Sequence, residues 1–319
     1  MKLTRIGVSM STYPTSDATT VAETGPPTGL SWSRTVDRRL VHRDALAEVL
    51  LTDVQRIDST RFAVAAQWPR SHRVYRPDAT GRPDPMLVLE TVRQVGLAVS
   101  HLGFAVPADH QALMADIEFA FDTDPGLGWP QHAVGVSIAV ECVDIRSRHD
   151  LVNHLTVRLR CFVQGRRVAT GSGTVNWLPA ARYQALRRRT RPPRVVRPSD
   201  QPLPAASRYR SGSDSLIAAP DADFPRRRLL VPLEHPVYFD HPLDHVPGLL
   251  LIDAAWQAAS QLLDADRRLI GADLRCPWFT ELFPIALISL RPTEPDQLAF
   301  AIEQSGRITS SGLLRLTSA

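Results

Sequence analysis

The chain has a single lysine, Lys2, so its cationic surface is almost wholly arginine. It has three cysteines, Cys142, Cys161 and Cys276, an odd and scattered set without CxxC spacing. That argues against a disulfide framework or a zinc site and fits a reducing compartment. Long apolar runs are missing too: no window approaches the ~18 uninterrupted apolar residues of a membrane span. The opening segment, MKLTRIGVSMSTYPTSDATTVAETGPPTG, lacks the apolar core of a secretion signal and is rich in Ser, Thr, Pro and Gly. Residues 1–37 are therefore expected to form a disordered tail, and the protein to be cytoplasmic with no membrane partner.

What is present is enough apolar material for a real core. The chain has 319 residues, 44% of them hydrophobic, which suits two domains of ordinary size. Net charge is +4, with arginines crowded into ARYQALRRRTRPPRVVRPSDQPLPAASRYRSG, residues 181–212. This segment reads first as a solvated connection and second as a contact for something acidic, such as a carrier protein or a phosphate. No nucleic-acid motif accompanies it, so no nucleic-acid partner is expected. It divides the chain into a first domain over 38–179, a linker over 180–227 and a second domain over 228–319.

Periodicity gives both domains one plan. In the first, LAEVLLTDVQRI (46–57) and RFAVAAQWP (61–69) read as strands, and DPMLVLETVRQVGLAVSHLGF (84–104) as a long apolar helix. Four strand candidates follow over 112–123, 133–145, 151–165 and 167–177. The second domain is shorter: a strand RLLVPL (228–233), a loop HPVYFDHPLDHVPG, the helix LLLIDAAWQAASQLLDAD, and strand candidates near 277–290, 297–304 and 307–317. The order predicts an α+β fold. A helix apolar nearly all round must be wrapped, and one sheet curled around one such helix is the hotdog arrangement. Two copies in tandem would make a pseudo-dimer within one chain, which could pair further as a homodimer.

The buried helices carry polar residues in register. Glu90, Arg93, Gln94, Leu97 and His101 fall on one stripe of the first, and Asp253, Trp256, Gln257, Ser260 and Asp264 on one stripe of the second. A carboxylate among apolar neighbours is costly unless paired. Glu90 and Arg93 can pair with each other, but an acid and an amide repeated on two buried helices are hard to explain by packing alone. Pro247 suits a helix start and Gly248 allows close approach to the free N–H groups there, which could stabilise an oxyanion. The preceding loop places His235, Asp240, His241, Asp244 and His245 within eleven residues, a supply of acid–base partners. If the two halves face each other, His241 or His245 would approach Glu90, and His72 or Arg76 would approach Asp253.

Three blocks carry a resemblance: VLLTDVQRIDSTRFAVAAQWPRSHRVYRP, DPMLVLETVRQVGLAVSHLGFAVPADHQALM and FDHPLDHVPGLLLIDAAWQAA. Together they resemble the A-factor biosynthesis (AfsA-type) hotdog family over nearly the whole chain after residue 38, apart from the linker. The resemblance implies an acyltransferase of γ-butyrolactone signal biosynthesis. It would move a β-ketoacyl group from an acyl-carrier-protein or coenzyme A thioester to the hydroxyl of dihydroxyacetone phosphate. Glu90 and Arg93 match the family's acid and arginine. Glu90 is then expected as the base, Arg93 as its orienter or the phosphate contact, and Gln94, Gln257, Trp256, His245 and Gly248 as substrate-binding. No cofactor or metal is implied. The second helix departs from the family's Glu-x-x-Arg-Gln. PGLLLIDAAWQ looks like hydroxydecanoyl carrier-protein dehydratases, which would make Asp253 and His241 an acid–base pair for β-hydroxyacyl thioesters. A non-catalytic acyl- or lactone-binding role is the third alternative.

Overall fold

The computed structural model describes residues 25–122, 129–130, 132–190, 214–219, 226–263 and 267–318. The start of the expected tail (1–24), most of the arginine-rich run (191–213) and Asp264 lie outside these residues.

The first long helix, α1, spans Pro85–Phe104. Asp84 caps it, its Oδ1 accepting from the Met86 amide at 2.9 Å, and Pro85 takes the first helical position, where no N–H is needed. Val88, Val92, Val95 and Val99 are poor helix formers, yet all are buried, so tertiary packing outweighs local propensity. Ala105 closes the helix in the left-handed region at φ 51°. The second buried helix, α3, spans Gly248–Ser260, and its N-terminus has no side-chain cap.

The strands are β1 (Leu51–Arg56), β2 (Arg61–Trp68), β3 (His110–Phe121), β4 (Val134–Arg148), β5 (Leu151–Val163), β6 (Arg166–Pro179), β7 (Arg227–Arg228), β8 (Arg267–Arg275), β9 (Leu287–Glu294), β10 (Gln297–Gln304) and β11 (Arg307–Ser318). They form one antiparallel sheet in the order β1-β2-β4-β5-β6-β3-β8-β11-β10-β9-β7. β3 and β8 meet at its middle, from Asp116 opposite Arg275 to Ala120 opposite Gly271. Outward from this seam, each side shows the same sequence: the first strand after its helix, then the fourth, the third and the second. α1 packs on β3, β5 and β6, and α3 packs on β8, β9 and β10, with the two helices also in contact. The result is an α+β architecture with one large antiparallel sheet holding two apolar helices.

Several boundaries differ from the sequence pattern. Leu46–Glu48 is a 3-10 turn and the strand begins only at Leu51. Residues 31–36, placed in the tail by composition, lie along β1 and β2. The Ser31 amide donates to Asp53, the Trp32 indole to the Ala66 carbonyl, and the Val36 amide to the Leu51 carbonyl. The opening of the presumed linker is a helix, α2 (Ala180–Thr190), anchored by the buried Arg187. α3 stops at Ser260, whose hydroxyl bonds back to the Gln257 carbonyl, so the helix is shorter than its apolar run. β8 was hidden because that run was extended to 266, leaving RRLIGADLR unassigned. The strand expected from 277 begins at Leu287, because Pro277 and Pro284 interrupt the stretch before it and cannot donate to a ladder. RLLVPL contributes only Arg228 of the two-residue β7 and a single bridge from Leu229 to Ile217.

α1 sits very close to β6. A Cβ on Gly171 would stand 2.5 Å from Val92 Cγ2 and 3.2 Å from the Glu118 carbonyl oxygen. Gly171→Ala is therefore expected to cost about 1–3 kcal/mol by forcing helix and sheet apart. Denaturant unfolding measures this; an unchanged midpoint would mean that α1 does not rest on β6 at that point.

Candidate active site

Glu90 is almost fully buried on α1, and both its oxygens are engaged. Arg93 donates through Nε to Oε2 at 2.9 Å and through Nη2 to Oε1 at 2.8 Å. Gln94 Nε2 donates to Oε1 at 2.6 Å. The third partner comes from outside the helix: Arg43 reaches Oε1 through Nε at 3.1 Å and Nη2 at 2.9 Å. Burial alone would raise the Glu90 pKa, but the two guanidinium charges and the hydrogen bonds overcome it and hold the group at about 2.

Arg43 is itself buried and joins two distant parts of the chain. Its Nη1 donates to the Val237 carbonyl at 2.6 Å and lies 3.3 Å from Asp240 Oδ1. Asp240 accepts the Asp44 amide at 3.0 Å and lies 2.6 Å from His241 Nδ1. Burial would raise its pKa, while the His241 contact and Arg43 hold it at about 2. As a carboxylate it can only accept, so His241 donates from Nδ1 and, when neutral, carries its lone pair on Nε2. Four residues on, His245 Nδ1 is 2.8 Å from Asp244 Oδ1. Asp244 also accepts from the Tyr183 hydroxyl at 2.6 Å and from Arg187 Nε at 2.9 Å. Arg187 in turn pairs with Glu281 at 2.6 Å. α2 thus fixes the second Asp–His pair.

Arg43, Glu90, Arg93, Tyr183, His241, Asp244 and His245 line one cavity of about 360 Å³, within the size range of small-molecule sites. One end is polar, with His42, Arg43, Glu90, Arg93, His241 and His245. The part between α1 and the sheet is lined by Val92, Leu97, Ile117, Val157 and Val175, with Gln111, Asp116 and Thr174 beside them. Pro247, Gly248 and Leu249, the uncapped start of α3, complete the wall. His42 Nε2 lies 3.0 Å from His101 Nε2, while His101 Nδ1 is 2.7 Å from the Val106 carbonyl. Burial first, then Arg93, His101 and His241, push His42 down to about 3, so it is neutral near pH 7.

Of the residues singled out by sequence, Glu90, Arg93, His241, His245 and Gly248 line this cavity, whereas Gln94, Asp253, Trp256 and Gln257 do not. The two glutamines have structural partners instead. Gln94 accepts from the Leu50 amide and donates to the Glu48 carbonyl; Gln257 accepts from the Leu216 amide and donates to the Asp214 carbonyl. The histidines repeat as well. His72 Nδ1 accepts the amides of Val74 and Tyr75, and its Nε2 faces Glu48 at 3.2 Å. His235 Nδ1 accepts those of Val237 and Tyr238, and its Nε2 faces Asp214 at 3.5 Å. Both His72 and His235 are therefore turn-formers. The cross-pairing expected at Asp253 is absent among the described contacts. His72 turns to Glu48, Arg76 bonds the Arg73 carbonyl, and Asp253 accepts from Tyr238 of its own half at 2.5 Å.

Sequence reasoning missed Arg43, His42, Tyr183, Arg187 and Tyr238. For the tyrosines of the repeat there was a signal: His72-Arg-Val-Tyr75 and His235-Pro-Val-Tyr238 are the same His-x-Val-Tyr unit. Among the described residues, no cluster of three or more His, Cys, Asp or Glu is arranged to hold a metal, and no helix is long and apolar enough to cross a membrane.

An antiparallel sheet holding two apolar helices, with a cavity between the middle of α1 and the start of α3, defines a hotdog protein. A 12:0-ACP thioesterase from Umbellularia californica has the same fold, with a TM-score of 0.50 at 10% identity, over 81% of this chain and 98% of the thioesterase. The profile of the A-factor biosynthesis hotdog domain matches residues 28–179 and 215–281, and the chain belongs to that family. Two relatives share the name 2-oxo-3-(phosphooxy)propyl 3-oxoalkanoate synthase. That of Streptomyces virginiae is 37% identical over 241 residues, 76% of this chain and 81% of the relative. That of Streptomyces coelicolor is 30% identical over 244 residues, 76% and 75% respectively.

The low pKa of Glu90 makes stability depend on acid. Its folded value, about 2, lies below the ordinary 4.5, so its contribution is complete above pH 4.5 and is lost as pH falls from there towards 2. The loss is roughly 3 kcal/mol. Denaturation midpoints measured across this window should fall steeply in the wild type and less steeply in Glu90→Gln. Equal slopes would contradict the assignment.

Proposed function

We propose that the protein transfers a 3-oxoacyl group from a thioester to the hydroxyl of dihydroxyacetone phosphate, giving the ester named by its relatives and a free thiol. The observation that carries this is the convergence of the Asp240–His241 pair, Arg93 and the uncapped start of α3 on one half-apolar cavity. We further propose that the two helix-and-sheet halves are tandem hotdog units, paired within one chain. The β3–β8 seam and the mirrored strand order support that reading.

His241 serves as the general base. Asp240 holds its Nδ1 proton, and Nε2 takes the proton of the acceptor hydroxyl. The resulting alkoxide attacks the thioester carbonyl. Negative charge on the tetrahedral oxygen is met by the free amides at the start of α3, where the first N–H groups of a helix have no internal partner. Collapse expels the thiolate, and the proton on His241 neutralises it. Glu90 is reassigned from base to positioning residue. A carboxylate held at about 2 with both oxygens bonded accepts a proton poorly, but it aims Arg93 and Arg43. Arg93 is only partly buried, and its Nη1 takes no part in the Glu90 bonds, which suits it to an acceptor phosphate. The part between α1 and the sheet accommodates the acyl chain. The donor thiol is that of an acyl carrier protein or coenzyme A.

Burial of Asp253 and Trp256 away from the cavity weighs against a dehydratase built on them. The deciding assay is mass spectrometry of the products from a 3-oxoacyl thioester and dihydroxyacetone phosphate. A phosphorylated ester is expected from the wild type. His241→Asn should slow its formation by about 10²–10⁴-fold, and Asp253→Asn should leave it within a few-fold. Free acid without ester would mean a thioesterase. Water loss from a β-hydroxyacyl thioester that requires Asp253 would mean the dehydratase.

A further inference from the structure

Three glycines line the cavity: Gly96, Gly173 and Gly248. Two of them have a steric reason in the protein itself. A Cβ on Gly173 would stand 3.2 Å from Val92 Cγ1, and one on Gly248 would collide with the Met114 methyl. Gly103, the other glycine of α1, would collide with the Phe62 ring. Gly96 is different. A Cβ there would meet one atom within 4 Å, Val157 Cγ2, at an ordinary 3.7 Å. Its φ is not positive, so alanine fits the backbone as well. Glycine in the middle of a helix is destabilising relative to alanine, and nothing in the packing calls for it here.

The position of Gly96 supplies a reason. It lies six residues beyond Glu90 on α1, about 9 Å along the axis at 1.5 Å per residue. It is about one turn past Arg93, and Val92, Leu97 and Val157 line the cavity with it. We propose that Gly96 is a specificity-determining residue whose missing side chain leaves an indentation in the cavity wall beside Val157, which the acyl chain occupies. Its hydrogen atom faces the middle of the chain, several carbons from the reacting carbonyl. The inference rests on the acyl-transfer reading and deepens it: the site takes thioesters of long chains because the helix is indented at this point. A single added methyl would partly fill the indentation, and an isopropyl group would fill it and project into the cavity. Short chains, which end before Gly96, would be unaffected.

The test uses the full chain with Gly96→Ala and Gly96→Val. The probes are non-reacting coenzyme A thioethers with a ketone in place of the thioester carbonyl, carrying straight chains from short to long. Binding is measured by calorimetry, and the melting temperature is measured without ligand. Gly96→Ala is expected to melt at or above the wild type. Its preference for long over short chains should fall by about tenfold, as expected for one methylene in an apolar pocket. In Gly96→Val the preference should fall further while short chains still bind. An unchanged long-to-short ratio in both variants overturns the inference. So does a lower melting temperature for Gly96→Ala, which would assign the glycine to packing. Failure of the wild type to bind any member of the series would instead overturn the acyl-transfer reading, and this inference with it.

Discussion

The site depends on one buried guanidinium. Arg43 cannot lose its charge, and in a water-poor interior it requires carboxylate partners. It takes Glu90 from the first buried helix and Asp240 from the loop before the second, together with the Val237 carbonyl. The loop is thus drawn against α1, and His241 is carried with it, next to Arg93 and the cavity. With Arg93 on Glu90 and His241 on Asp240, these contacts hold both carboxylates below their ordinary range despite burial. Removing one partner of such a set typically costs 3–5 kcal/mol, because the remainder is left buried and unpaired. Stability and positioning are therefore tied together here.

The two halves share a scaffold but not an outcome. In each, a helix glutamine bonds the amide and carbonyl of an incoming segment, and a His-x-Val-Tyr turn packs beside it. The differences are few and local. α1 begins at a capping aspartate, Asp84, whereas α3 begins uncapped at the cavity wall. Glu90 faces two arginines, whereas Asp253 faces the Tyr238 hydroxyl. The departure of Asp253-Ala-Ala-Trp256-Gln257 from the first helix's Glu-x-x-Arg-Gln thus coincides with a helix whose acid is sealed away. Asp253, Trp256 and Gln257, the dehydratase-like letters of the second helix, are buried and do not line the described cavity.

Much of the architecture was legible because burial imposes periodicity. The two helices, the long strands of the first half and the α+β class all follow from runs whose apolar residues recur at fixed spacing. Glu90, Arg93, His241 and His245 stood out because charged or histidine residues next to such runs are costly without a purpose. Gln94 and Gln257 stood out for the same reason but serve structure, since a buried amide satisfies backbone groups as readily as a ligand. Arg43 was illegible. It lies in irregular chain, far in sequence from both its carboxylates, and no local pattern distinguishes it from the other arginines. Arg187 and Tyr183 were masked by composition, because an arginine-rich helix reads like a solvated linker until its one buried face is seen. β8 was lost at the end of an apolar run whose helical portion stops early.

The central claim is that Arg43 couples Glu90 to Asp240, two residues that do not bond each other. A double-mutant cycle on unfolding free energy, using Glu90→Gln and Asp240→Asn, measures this directly, and repeating it in an Arg43→Met background isolates the bridge. The account predicts a coupling energy of about 1 kcal/mol or more that disappears once Arg43 is replaced. Additivity to within about 0.5 kcal/mol with Arg43 present would contradict it.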